Sequence, residues 1–133
     1  MKTANDYLEE ANAVVPRIST ESGIEKHKDG RSVFVDVRDS ADVAKTGTIA
    51  GAVLVARGML EFKADDTHQL HNPNLRKDAD IVLVCGAGGQ AALSGKTLVE
   101  MGFQNVSNVG GIFAWKEAGG PMNKSDTIDS KIR

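Results

Sequence analysis

The chain contains a single cysteine, Cys85, and it stands where a thiol can react. It ends the apolar run Ile81-Val82-Leu83-Val84, which reads as a buried strand. Gly86-Ala87-Gly88-Gly89-Gln90-Ala91 follows at once, and residues 91–101 read as a helix. The thiol therefore sits on a glycine-rich turn between a strand end and a helix N-terminus. Backbone N–H groups converge there, and the helix dipole favours negative charge. The thiolate is the nucleophilic form of cysteine, and such surroundings favour it. Free cysteine is also among the most buried residue types, so the strand alone would suit a structural role. The turn is what points to chemistry.

Several chemistries compete for this turn. Gly86-Ala87-Gly88-Gly89-Gln90-Ala91 fits the dinucleotide pattern G-x-G-x-x-A. The ribose-binding acid expected about 20 residues on is missing, since that region reads Asn105-Val106-Ser107-Asn108-Val109. A phosphatase would need an arginine six residues after the cysteine to clamp phosphate, and that position is Ala91. A metal site is disfavoured too: His68 and His71 lie in a polar stretch, and one cysteine with two histidines offers too few spaced ligands. What remains is a thiolate among N–H donors, able to take up sulfane sulfur as a persulfide and pass it on.

The elements that must hold this loop are legible as alternating helices and strands. Residues 3–15 read as a helix closed by Pro16, and Ile18 as part of a short strand. Ser19 or Thr20 caps a polar helix that ends near Asp29-Gly30. Residues 33–37 read as a strand. Asp39 and Asp42 suggest a capped short helix stopped by Thr46-Gly47. A strand over 51–55, a short helix over 59–64 and a polar loop over 65–79 precede the Cys85 strand. A last strand over 106–109 and a helix starting at Ile112, stopped by Gly119-Gly120-Pro121, complete the pattern. Such alternation predicts an α/β fold with a mostly parallel central sheet and helices on both faces. Ligands of open α/β sheets bind beyond the carboxyl ends of strands, where Cys85 lies.

With 133 residues, 41% hydrophobic and 26% charged, the chain suits one globular domain. A net charge of -2 with scattered basic residues gives no reason to expect nucleic acid. One cysteine makes no internal disulfide. The first residues, Met1-Lys2-Thr3-Ala4-Asn5-Asp6, run into acidic residues without a long apolar stretch, so no signal peptide, no membrane association and a cytoplasmic location are expected.

Four segments, in order, carry a resemblance to the rhodanese-like single-domain family over roughly residues 17–122. Phe34-Val35-Asp36-Val37-Arg38 resembles its aspartate–x–arginine segment at a strand end. Gly47-Thr48-Ile49-Ala50-Gly51-Ala52 resembles its Gly-His-Ile-Pro-Gly-Ala segment, with Thr48 and Ala50 replacing His and Pro and expected to change only a local turn. Residues 85–91 resemble its catalytic loop, and Gly110-Gly111-Ile112-Phe113-Ala114-Trp115 with Gly120-Pro121 its C-terminal signature.

The resemblance implies a rhodanese-like three-layer sandwich and a sulfurtransferase whose Cys85 carries a persulfide. Residues 1–16 would then form an N-terminal helical extension and 123–133 a polar tail. The amides of Gly86, Ala87, Gly88, Gly89, Gln90 and Ala91 would bind the anion. Asp36 and Arg38 match positions near the active-site edge, or form a salt bridge at the strand end. Arg57 could line the pocket, or pair with Glu61 four residues on. Gln90 stands where many active members carry arginine, so an anionic donor would meet only N–H dipoles unless Arg38 or Arg57 reaches in. Weak thiosulfate activity is the expectation. The implied partners are a small sulfur donor and a thiol or protein-cysteine acceptor, with no metal or organic cofactor and a monomer or weak homodimer. The alternative is a rhodanese-like interaction or regulatory module without catalytic turnover.

Overall fold

The computed structural model describes residues 1–123. Its centre is a four-stranded parallel sheet, built from β1 (Ser32–Asp36), β3 (Val53–Leu54), β4 (Asp80–Cys85) and β5 (Asn105–Gly111), in the order β3-β1-β4-β5. Side chains alternate across the sheet. Ile81, Leu83 and Cys85 of β4 point to one face, where Val15, Leu60, Ala91 and Leu98 cover them. Val82 and Val84 point to the other, under Ile112 and Trp115. Two apolar faces on one strand demand two covering layers, and the chain supplies both.

The first layer is α1 (Ala4–Val14), α4 (Leu60–Ala64) and α5 (Gly89–Glu100). α1 opens with a capping box: Thr3 accepts the Asp6 N–H while the Asp6 carboxylate accepts the Thr3 N–H. It packs on α5, burying Ala11 and Val15, so the N-terminal helix shares the domain's core. The second layer is α2 (Thr20–Asp29) and α6 (Ile112–Glu117), where Phe34, His27 and Trp115 meet at tilted or edge-on ring angles. The Ser19 hydroxyl caps α2, as its sequence position suggests.

The structure corrects the local reading at several points. Thr48 and Ile49 form a short strand, β2, that pairs antiparallel with β6 (Met122–Asn123). This pairing joins segments far apart in sequence, so no local pattern announces it. Ile18 belongs to no regular strand; Arg17 and Asn108 make a single parallel pairing instead. Asp39 precedes α3 (Ser40–Thr46) without a side-chain cap bond. The expected tail over 123–133 lies, beyond Asn123, outside the described residues.

Asp80 ties α2 to the start of β4, its carboxylate 2.8 Å from Lys26 Nζ and 2.6 Å from Ser32 Oγ. Burial works to raise this carboxyl's pKa, but the hydrogen bonds from Lys26 and Ser32, with the Lys26 charge, together hold it below the ordinary value. A carboxylate depressed in the folded state stabilises above its unfolded pKa of about 3.9, and that contribution fades as pH falls through the folded value. Asp80→Asn is expected to cost about 0.2–1 kcal/mol at pH 7. Urea unfolding of both proteins should show the difference shrink as pH falls through the folded-state pKa of Asp80.

Candidate functional site

Cys85 is the last residue of β4, and three residues separate it from the first turn of α5. The β-branched run of β4 carries the chain through the sheet, and Gly88, at φ +111°, turns it into the helix. The Cys85 thiol is 2% exposed. Its Sγ accepts the Gly88 N–H at 3.0 Å and the Ala91 N–H at 3.3 Å. Ala91 is the third residue of α5, so the sulfur takes the place an N-cap side-chain oxygen usually fills. Gly88, at the N-cap, has no side chain to do this. The N–H groups of Gly89 and Gln90 also lie in the first turn, where no intrahelical acceptor reaches. A negative charge on sulfur therefore meets two hydrogen-bond donors and the positive end of a 12-residue helix. Gly86, Ala87 and Gln90 are exposed above the buried thiol.

The loop is held from β5. Asn108, 1% exposed, donates from Nδ2 to the Gly88 carbonyl at 2.8 Å and accepts the Gly110 N–H at Oδ1, also at 2.8 Å. The second bond serves a β-bulge, because the β4–β5 register slips between Leu83 and Val84. The Asn108 backbone is itself clamped: its N–H donates to the Pro16 carbonyl (2.9 Å) and its carbonyl accepts the Ile18 N–H (3.0 Å). Sequence reasoning took residues 106–109 as a plain strand and missed this role. A polar amide at a core position of a strand was the available signal, since buried polar groups need partners.

Arg17 was also missed. Flanked by those two backbone bonds, it lays its guanidinium against Gly88 and Gly110. A Cβ on Gly88 would lie 2.7 Å from Arg17 Nη1, and one on Gly110 would lie 2.9 Å from Cζ. Arg17 is exposed and enters no salt bridge among the described residues. A guanidinium from outside the loop thus lies beside it.

Asp36 ends β1 and is fully buried. Arg38 directs its donors to Asp36 (2.8 Å from Nη2), Thr46 Oγ1 (2.9 Å) and the Gly47 carbonyl (3.0 Å). Its guanidinium is committed to the β1 end and the close of α3, not to the Cys85 loop. Thr48, expected to affect only a turn, donates its hydroxyl to Asp36 Oδ2 at 2.7 Å. Arg57 lines a cleft of about 630 Å³ with Tyr7, Leu8, Gly89, Gln90 and Leu93, between α1 and α5. Within it, Arg57 is bound to Glu61 (3.1 Å) and Thr97 Oγ1 (3.0 Å). His68 and His71 bind the Leu70 N–H and the Leu75 carbonyl, respectively. Among the described residues no group of three His, Cys, Asp or Glu is arranged to hold a metal ion, and no helix is long and apolar enough to cross a membrane.

The model of the rhodanese-like domain matches residues 19–118. A Candida albicans protein, the adenylyltransferase and sulfurtransferase UBA4, is 37% identical over 103 residues. That match covers 77% of this chain but 21% of the relative, so the chain spans about a fifth of that protein's length. A Rhodopseudomonas palustris CGA009 protein of unknown function, a possible tyrosine phosphatase, superposes with a TM-score of 0.87 at 35% identity, over 92% of this chain and 96% of its own. The polysulfide-sulfur transferase homodimer of Wolinella succinogenes superposes at 0.70 with 26% identity, over 88% and 84% of the two chains.

Proposed function

Because the chain belongs to the rhodanese-like family, we propose that it is a sulfurtransferase that carries sulfane sulfur as a persulfide on Cys85. The observation that carries this reading is the Cys85 sulfur held by the Gly88 and Ala91 N–H groups at the start of α5. The Cys85 thiolate attacks the outer sulfur of a donor such as thiosulfate or a persulfide. The donor's S–S bond breaks, the leaving group (sulfite, from thiosulfate) departs with the electron pair, and Cys85 becomes a persulfide anion. A thiol, a protein cysteine or, in an assay, cyanide then attacks the terminal sulfur and restores the thiolate. Preorganised N–H donors stabilise both anions without reorganising.

Phosphatase chemistry, raised by the R. palustris neighbour, has weaker support. Ala91 stands where that chemistry wants a guanidinium, and its side chain is buried under the helix start. Gln90, neutral and exposed, favours a second reading: a module that binds or senses sulfur species with little turnover.

Intact-mass spectrometry after thiosulfate separates these readings. Wild type is expected to gain one sulfur atom, lose it to cyanide as thiocyanate forms, and repeat the cycle. Cys85→Ser is expected to gain none. A single loading without repeated turnover favours the module. No adduct from thiosulfate or polysulfide would rule out the sulfurtransferase reading.

A further inference from the structure

Thiosulfate brings two negative charges to a thiolate, so three must share one small site during transfer. The loop's own side chains offer no cation, since residues 86–91 are Gly, Ala, Gly, Gly, Gln and Ala. Nor do the other arginines near this end of the sheet. Arg38 is buried in bonds to Asp36, Thr46 and Gly47, and Arg57 is paired with Glu61. Lys96, in the cleft, is 2.6 Å from Glu100. Two amide hydrogen bonds and a helix dipole must otherwise bear the whole load.

We infer that Arg17 supplies the missing charge and is the residue that selects anionic donors at the Cys85 loop. Its guanidinium lies against Gly88, whose N–H binds Sγ, and against Gly110, whose N–H is held by Asn108. Three features make it suited to this role. Its backbone is fixed by the Pro16 and Ile18 bonds to Asn108, and the Asn108 side chain also holds the Gly88 carbonyl, so Arg17 and the loop share one support. Glycine at 88 and 110 leaves the space the guanidinium fills, because a Cβ at either would collide with it. It is exposed, and no carboxylate among the described residues neutralises it. An oxyanion at the mouth of the loop therefore meets an uncompensated guanidinium, and hydrogen bonds to charged groups are about twice as strong as neutral ones. The ligand class is a small divalent oxyanion bearing sulfur, of which thiosulfate is the reacting member and sulfite the product.

This inference deepens the sulfurtransferase reading, and a binding measurement separates the two. Sulfate has the charge of thiosulfate but no transferable sulfur. Titrated into the ¹⁵N-labelled protein, it is expected to shift the amide signals of residues 86–91 saturably. Arg17→Gln should weaken that binding about tenfold, while Arg17→Lys should retain part of it, and added chloride should narrow the gap. In parallel, the rate of Cys85 persulfidation by thiosulfate should fall about tenfold in Arg17→Gln. A non-saturable response in wild type, or equal affinity in folded Arg17→Gln, overturns the role of Arg17 whether or not Cys85 takes up sulfur. If Arg17→Gln does not fold, equal sulfate affinity in Arg17→Ala or undiminished salt sensitivity in Arg17→Lys serves the same purpose: the first overturns the role, and the second supports it. Sulfate binding that depends on Arg17, in a protein that never forms a persulfide, would uphold the anion site and sink the sulfurtransferase reading alone.

Discussion

Gly111→Ala is expected to slow sulfur loading of Cys85 about 100-fold or more while leaving the protein folded. Gly111 ends β5 in register with Cys85, directly beneath the loop. A Cβ there would overlap the Gly86 carbonyl oxygen and lie 3.2 Å from the Ala87 Cα. Both obstacles are backbone atoms, so no flexible side chain can swing away. The loop must lift, and the Gly88 and Ala91 N–H groups move with it, away from Sγ. Misplacement of reacting groups by about 1 Å costs on the order of 100-fold in rate, whereas overpacking costs about 1–3 kcal/mol in stability. Single-turnover mass spectrometry and urea unfolding read the two effects separately. Gly86→Ala is the matched control, since its Cβ would meet nothing within 4 Å. It should stay within about 0.5 kcal/mol of wild type. Equal loading rates in the two variants would show that loop height does not control the chemistry.

Arg38→Leu is expected to destabilise the protein by about 3–5 kcal/mol. The loss comes less from the pair than from what stays behind. Asp36 is fully buried, and without Arg38 its carboxylate keeps, among the described residues, only the Thr48 hydroxyl (2.7 Å) and the backbone N–H of residue 38 (3.0 Å). A buried charge stripped of its partner is costly in a way an exposed one is not. Arg57→Leu provides the contrast: the Arg57–Glu61 pair is partly exposed and four residues apart on a helical surface, where such pairs contribute about 0.2–0.5 kcal/mol. Urea midpoints for both variants test the comparison. Similar small losses would mean that Asp36 is solvated in ways its position does not suggest. If Arg38→Leu is too unstable to purify, Arg38→Lys should still unfold well before wild type, because an ammonium cannot reproduce the fork that reaches Asp36, Thr46 and Gly47 together.

That Cys85 ends a strand, that glycines turn the chain after it, and that a helix begins within a few residues are all legible in the sequence. These are local matters: an apolar run, backbone freedom at glycine and helical periodicity are written in neighbouring residues, and they sufficed to identify the loop. The alternation of strands and helices likewise sufficed for a parallel sheet covered on both faces. What surrounds the loop is set by packing between segments distant in the chain. Asn108 reads as one residue of a short strand until β5 lies beside β4 and its amide meets the Gly88 carbonyl, 20 residues away in sequence. Arg17 reads as a residue between a proline and an isoleucine until it pairs across the sheet edge with Asn108. Thr48 reads as part of a turn until it meets Asp36. In each case the partner is remote in the chain, and a side chain's hydrogen bonds and charge act over a few ångströms of space rather than over sequence distance. The position of Cys85 follows from local order, and the guanidinium beside its loop follows from how the sheet is assembled.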